Sequence, residues 1–254
     1  MRESEFFKGI AHVEVPWGER SIHVPVFYYD VMSVSAQFLA PIEAVRALLP
    51  SPRMHPLRIT PWASVVNLTG FYYRDCDLGP YNEVSFSVPF CLDRPSPPFV
   101  GTLNKMPAVT SVYVRHLPVT TEIARAAGVE FAAYPKFVAD ITFEEQGEWL
   151  TCRLGHEGRQ ILSLTCRTGS TTPAGRGRTE IYNVLEDRLL RCEMATSPCE
   201  QFASRNPADV RLELGEGHPM AQELRGLGIK RALGCQYAPH FEGVLTNVLE
   251  SLPV

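Results

Sequence analysis

The chain has 254 residues, with 28 acidic against 24 basic side chains and a formal charge of −4. That length supports one large core or two small ones, and a hydrophobic share of 45% excludes an intrinsically disordered chain. The mild acidity and the lack of a basic run speak against nucleic acid or an anionic membrane as partner. No run approaches the roughly eighteen apolar residues of a membrane-spanning helix. The start, Met1-Arg2-Glu3-Ser4-Glu5, has no apolar signal-peptide core, so the expected location is the cytoplasm.

In chain order, the first predicted strand is His23–Tyr29. A short helix follows over Pro41–Leu49, with Pro41 at its first position and Pro50 ending it. Ala63–Leu68, Val84–Phe90 and Thr110–Val114 read as strands, rich in Val, Phe, Tyr and Thr and bounded by Pro, Gly or Asp. Val119–Ala127 reads as a helix, with Thr120 or Thr121 as N-cap and Gly128 as its stop. Phe137–Phe143 is a further strand. Glu148–Arg153 and Gln160–Arg167 form a hairpin through Gly155-His156-Glu157-Gly158. Gly169–Arg178 reads as an exposed loop with two arginines. The apolar spacing of Val244, Leu245, Val248 and Leu249 predicts a last helix over Phe241–Leu252.

Strands dominate and seldom alternate with long helices, which disfavours a doubly wound parallel sheet. The prediction is a mostly β, α+β chain with antiparallel strands, forming one domain over residues 1–254. Seven cysteines without a C-x-x-C, and seven histidines without ligand spacing, predict buried thiols rather than a disulfide framework or a metal site. Fingerprints for dinucleotides, phosphate loops and nucleophile elbows are absent. No cofactor is expected.

The basic residues comprise 20 arginines and only four lysines: Lys8, Lys105, Lys136 and Lys230. Lys136 stands in the apolar run Ala132-Ala133-Tyr134-Pro135-Lys136-Phe137-Val138. Arginine keeps its proton in a protein, whereas lysine in an apolar pocket yields it, by ~3–5 pKa units at full burial. A neutral amine attacks a ketone, and the protonated imine that results is an electron sink. A lysine after proline also runs its stem over apolar neighbours with its head in water, and the segment alone leaves both readings open.

The run Gly128…Glu130…Ala133-Tyr134-Pro135-Lys136 resembles the G-x-E-x-x-[GA]-[YFW]-P-K segment of the acetoacetate decarboxylase family. Gly79-Pro80-Tyr81-Asn82-Glu83, followed by Ser87-Val88-Pro89-Phe90, is similar to that family's G-x-Y-x-E segment. The resemblance implies an antiparallel β cone or barrel with a few peripheral helices, assembled as a homo-oligomer. It implies Lys136 as the Schiff-base lysine and Glu83 as the acid, base or orienting carboxylate. Tyr134, Phe137 and Tyr81 become the expected substrate-pocket residues, and Phe131, Phe137 and Tyr134 allow a wide, apolar pocket.

Two positions depart from the family pattern. Phe137 stands where the decarboxylases carry a second lysine, and Val24–Val34 lacks the arginine expected near the substrate carboxylate; the nearest are Arg20 and Arg46. The implied function is a carbon–carbon lyase of Schiff-base type acting on a small oxo acid. Alternatives are a pyruvate-type aldolase or dehydratase using the same lysine, and a non-catalytic β-barrel protein that binds a small ligand.

Overall fold

The computed structural model describes residues 4–97, 110–229 and 231–254. A hairpin, β1 (Val13–Trp17) and β2 (Arg20–Val24), precedes the long β3 (Val26–Pro41) and the short helix α1 (Ile42–Arg46). Next come β4 (Met54–Pro56), β5 (Ala63–Cys76), β6 (Tyr81–Leu92), β7 (Thr110–His116) and α2 (Glu122–Ala132). The second half holds β8 (Asp140–Gln146), β9 (Trp149–His156), β10 (Arg159–Arg167), β11 (Thr172–Ala174), β12 (Gly177–Leu185), β13 (Arg188–Thr196) and β14 (Cys199–Ser204). It ends with β15 (Val210–Leu214), α3 (Pro219–Gly226), β16 (Arg231–Leu245) and β17 (Glu250–Pro253).

The path β16-β3-β5-β6-β7-β12-β13 closes on itself, because β13 also pairs with β16. The seam is short: Met194, Ala195 and Thr196 oppose Leu245, Val244 and Gly243. The other half of β16 pairs with β14 instead, so the ring opens towards that end and takes the form of a cone. All its pairings are antiparallel except β7 with β12. A separate sheet, β15-β10-β9-β8, lies outside it.

Strand alternation divides the work of the cone wall. Val34, Ala36, Phe38, Val66, Leu68, Val84, Phe86 and Val88 point outward and pack against Leu150, Cys152, Leu154 and Ile161 of the outer sheet. That layer is the main core, and each large side chain in it contributes roughly 1.5–3 kcal/mol. The outer sheet comes close because β5 carries glycine at position 70. A Cβ there would stand 2.8 Å from Cys152 Sγ. The alternate residues of the same strands face inward, onto a cavity of about 760 Å³.

Several sequence expectations change. The helix predicted over Phe241–Leu252 is the end of β16 and, after a break, β17; cross-strand partners on β3 and β13 overrule its helical spacing. Gly128 does not stop α2, which runs on to Ala132 and is capped by Ala133 in the left-handed region at φ 52°. Thr121 is the N-cap, its hydroxyl accepting the Ala124 N–H. Pro41 is the N-cap of α1 rather than its first residue. The loop at Gly169–Arg178 contains β11 and the start of β12, and Arg178 pairs with Glu193 at 2.5 Å. The regular strand near Phe137–Phe143 begins only at Asp140.

Candidate active site

The segment after α2 is hung from two backbone ladders. Leu117 and Val119 donate their N–H groups to the carbonyls of Pro135 and Phe137, at 3.1 and 2.9 Å. Ala139 N–H returns to the Val119 carbonyl at 2.8 Å. On its other side Val119 bridges Glu83. Glu83 and Lys136 therefore sit on neighbouring ladders, although 53 positions separate them in sequence.

Their side chains meet. Lys136 Nζ donates to Glu83 Oε2 at 2.8 Å, with only 6% and 7% of the two side chains exposed. Tyr73 donates its hydroxyl to the other carboxylate oxygen at 3.1 Å. The lysine head is thus buried rather than in water, the choice its segment alone leaves open, and it holds a buried counter-charge. The Tyr81 and Tyr134 rings lie 5.6 and 5.7 Å from Nζ, within cation–π range.

Tyr28 and Tyr73 complete an aromatic surround. The Tyr73 ring lies 4.6 Å from that of Tyr28 and 4.5 Å from that of Tyr81. The Tyr28 and Tyr81 hydroxyls are 3.5 Å apart. Burial holds all four phenols well above the usual tyrosine range, and the Glu83 carboxylate adds to this at each of them. They remain neutral and able to donate.

Gly128 makes room for the amine. A Cβ on Gly128 would stand 2.5 Å from Lys136 Cε and 3.2 Å from Nζ. The lysine stem therefore runs across the bare backbone of α2. Glu130 faces elsewhere and accepts the Trp17 indole N–H at 2.6 Å, tying the β1–β2 hairpin to α2.

The expected pocket residues divide. Tyr134 and Lys136 line both the large cavity and a small apolar crevice behind it, where Phe131 also lies. Tyr81 lines neither and stands behind Tyr28 and Tyr73. Phe137 also turns away. Its ring packs against His156 and His218 at 5.2 and 5.9 Å, because the chain is extended here and successive side chains take opposite faces.

Tyr28 and Tyr73, absent from the expected pocket, do face the cavity. An inward aromatic on a strand carries no sequence mark that separates it from core. Arg20 and Arg46 are not on the cavity wall; among the described residues its charged members are Glu83, Lys136 and Arg205. Of the other lysines, Lys8 is exposed and pairs with Glu5, while Lys105 and Lys230 lie outside the described residues.

No curated protein sequence matches the chain. Among solved structures, the acetoacetate decarboxylase of Legionella pneumophila is similar at a TM-score of 0.65 and 15% identity, over 93% of this chain and 92% of that one. Another acetoacetate decarboxylase structure is similar at 0.64 and 16%, over 94% and 91%. The enduracididine biosynthesis enzyme MppR, complexed with pyruvate, is similar at 0.63 and 12%, over 95% and 98%. These likenesses show a shared cone architecture. The family model for acetoacetate decarboxylase matches residues 13–245, and the chain belongs to the acetoacetate decarboxylase family.

Proposed function

We propose that this chain is a lysine-imine lyase acting on an oxo acid, with Lys136 as nucleophile and Glu83 as proton carrier. The observation that carries this reading is the buried 2.8 Å contact between the only two charged groups at that end of the described cavity wall. Paired burial of two ions is a weak stabilising device, and a cavity wall is a poor place for a purely structural one.

The chemistry follows from the contact. Glu83 takes a proton from the Lys136 ammonium, and the neutral amine adds to the substrate carbonyl carbon. Glu83 then returns the proton to the carbinolamine oxygen, which leaves as water. The protonated imine accepts the electron pair of the bond to the departing carboxylate. CO₂ leaves, and the enamine is protonated at carbon. Water releases the ketone and regenerates the amine. Tyr73, held on the second oxygen of Glu83, keeps that carboxylate aimed at Nζ.

A second reading is favoured by the cavity itself. Its wall has no guanidinium at the Lys136 end among the described residues, and its volume leaves room for a second reactant. Pyruvate would then form the imine, and its enamine would add to an aldehyde.

Both readings are tested by borohydride reduction in the presence of oxo acids, followed by intact mass and peptide mapping. The expected result is one reduced adduct on Lys136. An adduct on Lys8, Lys105 or Lys230 alone, or none with any oxo acid, overturns the imine and leaves a binding protein. Measuring CO₂ release from acetoacetate beside pyruvate–aldehyde condensation then separates the two reactions. With no arginine beside the amine, a substrate carboxylate loses a charge-assisted contact of roughly 1.5–3 kcal/mol. Acetoacetate affinity is expected to be about tenfold to a hundredfold below that of a site holding such an arginine.

A further inference from the structure

The cavity is built on a scale that a three- or four-carbon oxo acid does not use. Its volume of about 760 Å³ lies in the range of roughly 300–1,000 Å³ that encloses far larger ligands. Its wall is also patterned along its length. Opposite Glu83 on β5 is Phe71; one step along, Ser85 opposes Thr69; one step further, Ser87 opposes Asn67. The rows continue onto β3, where Ser35 opposes Thr69 and Gln37 opposes Asn67. Each of these hydroxyl and amide residues lines the cavity, on strand faces where the alternate positions carry Val, Leu and Phe.

The second row ends beside an arginine residue. Gly234 of β16 opposes Gln37, and a Cβ there would stand 3.0 Å from Arg205 Cα. Arg205 therefore borders the same row as Gln37, Asn67 and Ser87, and it lines the cavity. Four residues of strand separate Ser87 from Glu83, which at about 3.3 Å per residue is roughly 13 Å. The Asn67 Oδ1 accepts no hydrogen bond among the described residues, although buried amides are ordinarily paired. A wall with amine and carboxylate at one end, neutral hydrogen-bonding rows between, and an exposed arginine residue at the rim of the other fits a ligand with a matching order of groups.

We propose that the substrate is an elongated oxo acid. Its reacting carbonyl meets Lys136, its chain runs along the Thr69–Ser85 row, and a remote carboxylate is received by Arg205 with Gln37, Asn67 and Ser87. The inference rests on imine formation at Lys136 and adds the identity of the molecule's far end. A remote carboxylate also explains how the site manages without a guanidinium near the amine.

The test is borohydride trapping with methyl ketones that end in a carboxylate: 4-oxopentanoate, 6-oxoheptanoate, 8-oxononanoate and 10-oxoundecanoate. Acetone and 2-nonanone are the uncharged controls. The half-saturating concentration is expected to fall by tenfold to a hundredfold from the short to the long oxo acids, the worth of one charge-assisted hydrogen bond. In Arg205→Ala, whose site is exposed at the cavity rim, the ratio of short to long is expected to shrink towards one. In Asn67→Leu it is expected to shrink in part.

Equal half-saturation across the series, with adducts still on Lys136, overturns the elongated substrate and leaves the imine reading standing. So does 2-nonanone binding as tightly as 8-oxononanoate, which would mean the cavity reads apolar length alone. No adduct with any ketone overturns the imine reading and this inference together.

Discussion

Gly128 and Lys136 are packed as a pair: the lysine stem occupies the space that a side chain at 128 would need, with Cε only 2.5 Å from the position of an added Cβ. The atoms in conflict are the far end of a flexible chain, so Gly128→Ala is accommodated by moving the lysine rather than the backbone. Alanine also favours the interior of α2 by up to ~1 kcal/mol over glycine. The variant is therefore expected to fold with an unchanged or higher Tm. Its rate of borohydride trapping is expected to fall by tenfold or more, since the 2.8 Å contact to Glu83 is lost. A fall in Tm with full trapping would show the glycine to be a structural need of the helix alone.

Glu83 separates chemistry from charge balance. Glu83→Gln keeps the shape and an acceptor for the Tyr73 hydroxyl but gives up the oxygen that carries the proton in the proposed reaction. Turnover is expected to fall by ~10²–10⁴, the usual worth of a positioned acid–base group. Glu83→Leu leaves the buried Lys136 without its counter-charge, a loss of about 3–5 kcal/mol. A turnover assay on Glu83→Gln gives the first number, and urea unfolding of both variants beside the parent gives the second. Equal stability in all three would mean that water replaces the carboxylate at Nζ.

The four tyrosines of the surround make an alkaline prediction. Burial raises Tyr28, Tyr73, Tyr81 and Tyr134 in the folded chain, and Glu83 pushes each the same way. A group raised on folding contributes stability below its unfolded pKa, near 10 for tyrosine, and that contribution fades as pH climbs above it. Tyrosinate absorbance near 295 nm is expected to rise in two stages. Phenols in contact with water titrate first, and the buried four appear only as the chain unfolds. A single smooth titration with the fold intact would mean that water reaches the surround freely.

The acid side is governed elsewhere. Glu223 on α3 accepts from Arg115 and His116 at the end of β7, at 2.7 and 2.5 Å. Burial alone would raise its carboxyl. The bonds to His116 and Arg115 reverse this and hold it at about 2. Because the folded value lies below the ordinary one, the pair stabilises the chain at neutral pH. The contribution is lost as pH falls from about 4.5 towards 2. Glu223→Gln is expected to flatten the stability profile across that window, read from urea midpoints at stepped pH. An unchanged profile would place the acid-sensitive group on another carboxylate.

Lys136 and Glu83, which the structure brings into contact, stand out in sequence as candidates because one is a rare lysine in an apolar run and the other a glutamate in a short motif. The Thr121 cap and the β9–β10 hairpin were legible because local hydrogen bonding decides them. The misreadings share a physical origin. The apolar positions near residue 245 fit both a helix and a bulged strand, and long-range pairing with β3 and β13 selects the strand. Gly128 looks like a helix stop in one dimension; its purpose exists only once Lys136 returns beside it. Phe137 leaves the pocket because extended backbone sends it to the side opposite Lys136, whereas Tyr81 shares a face with Glu83 but is screened from the cavity by Tyr28 and Tyr73. Tyr28, Tyr73 and the polar rows become a site only when strands from four parts of the chain align.

The two ladders that carry Glu83 and Lys136 have a consequence for how the chain acquires its fold. Neither group is competent until β6, the Leu117–Val119 stretch and the segment after α2 have all joined. The wall around them closes only when β13 meets the last strand of the cone. Contacts this distant along the chain form late and slowly. If Lys136 forms the proposed imine, trapping becomes a clock for refolding: pulses of ketone and borohydride at increasing delay after dilution from denaturant would label only molecules whose cone has assembled. The labelled fraction would follow tertiary closure rather than the earlier formation of the β9–β10 hairpin.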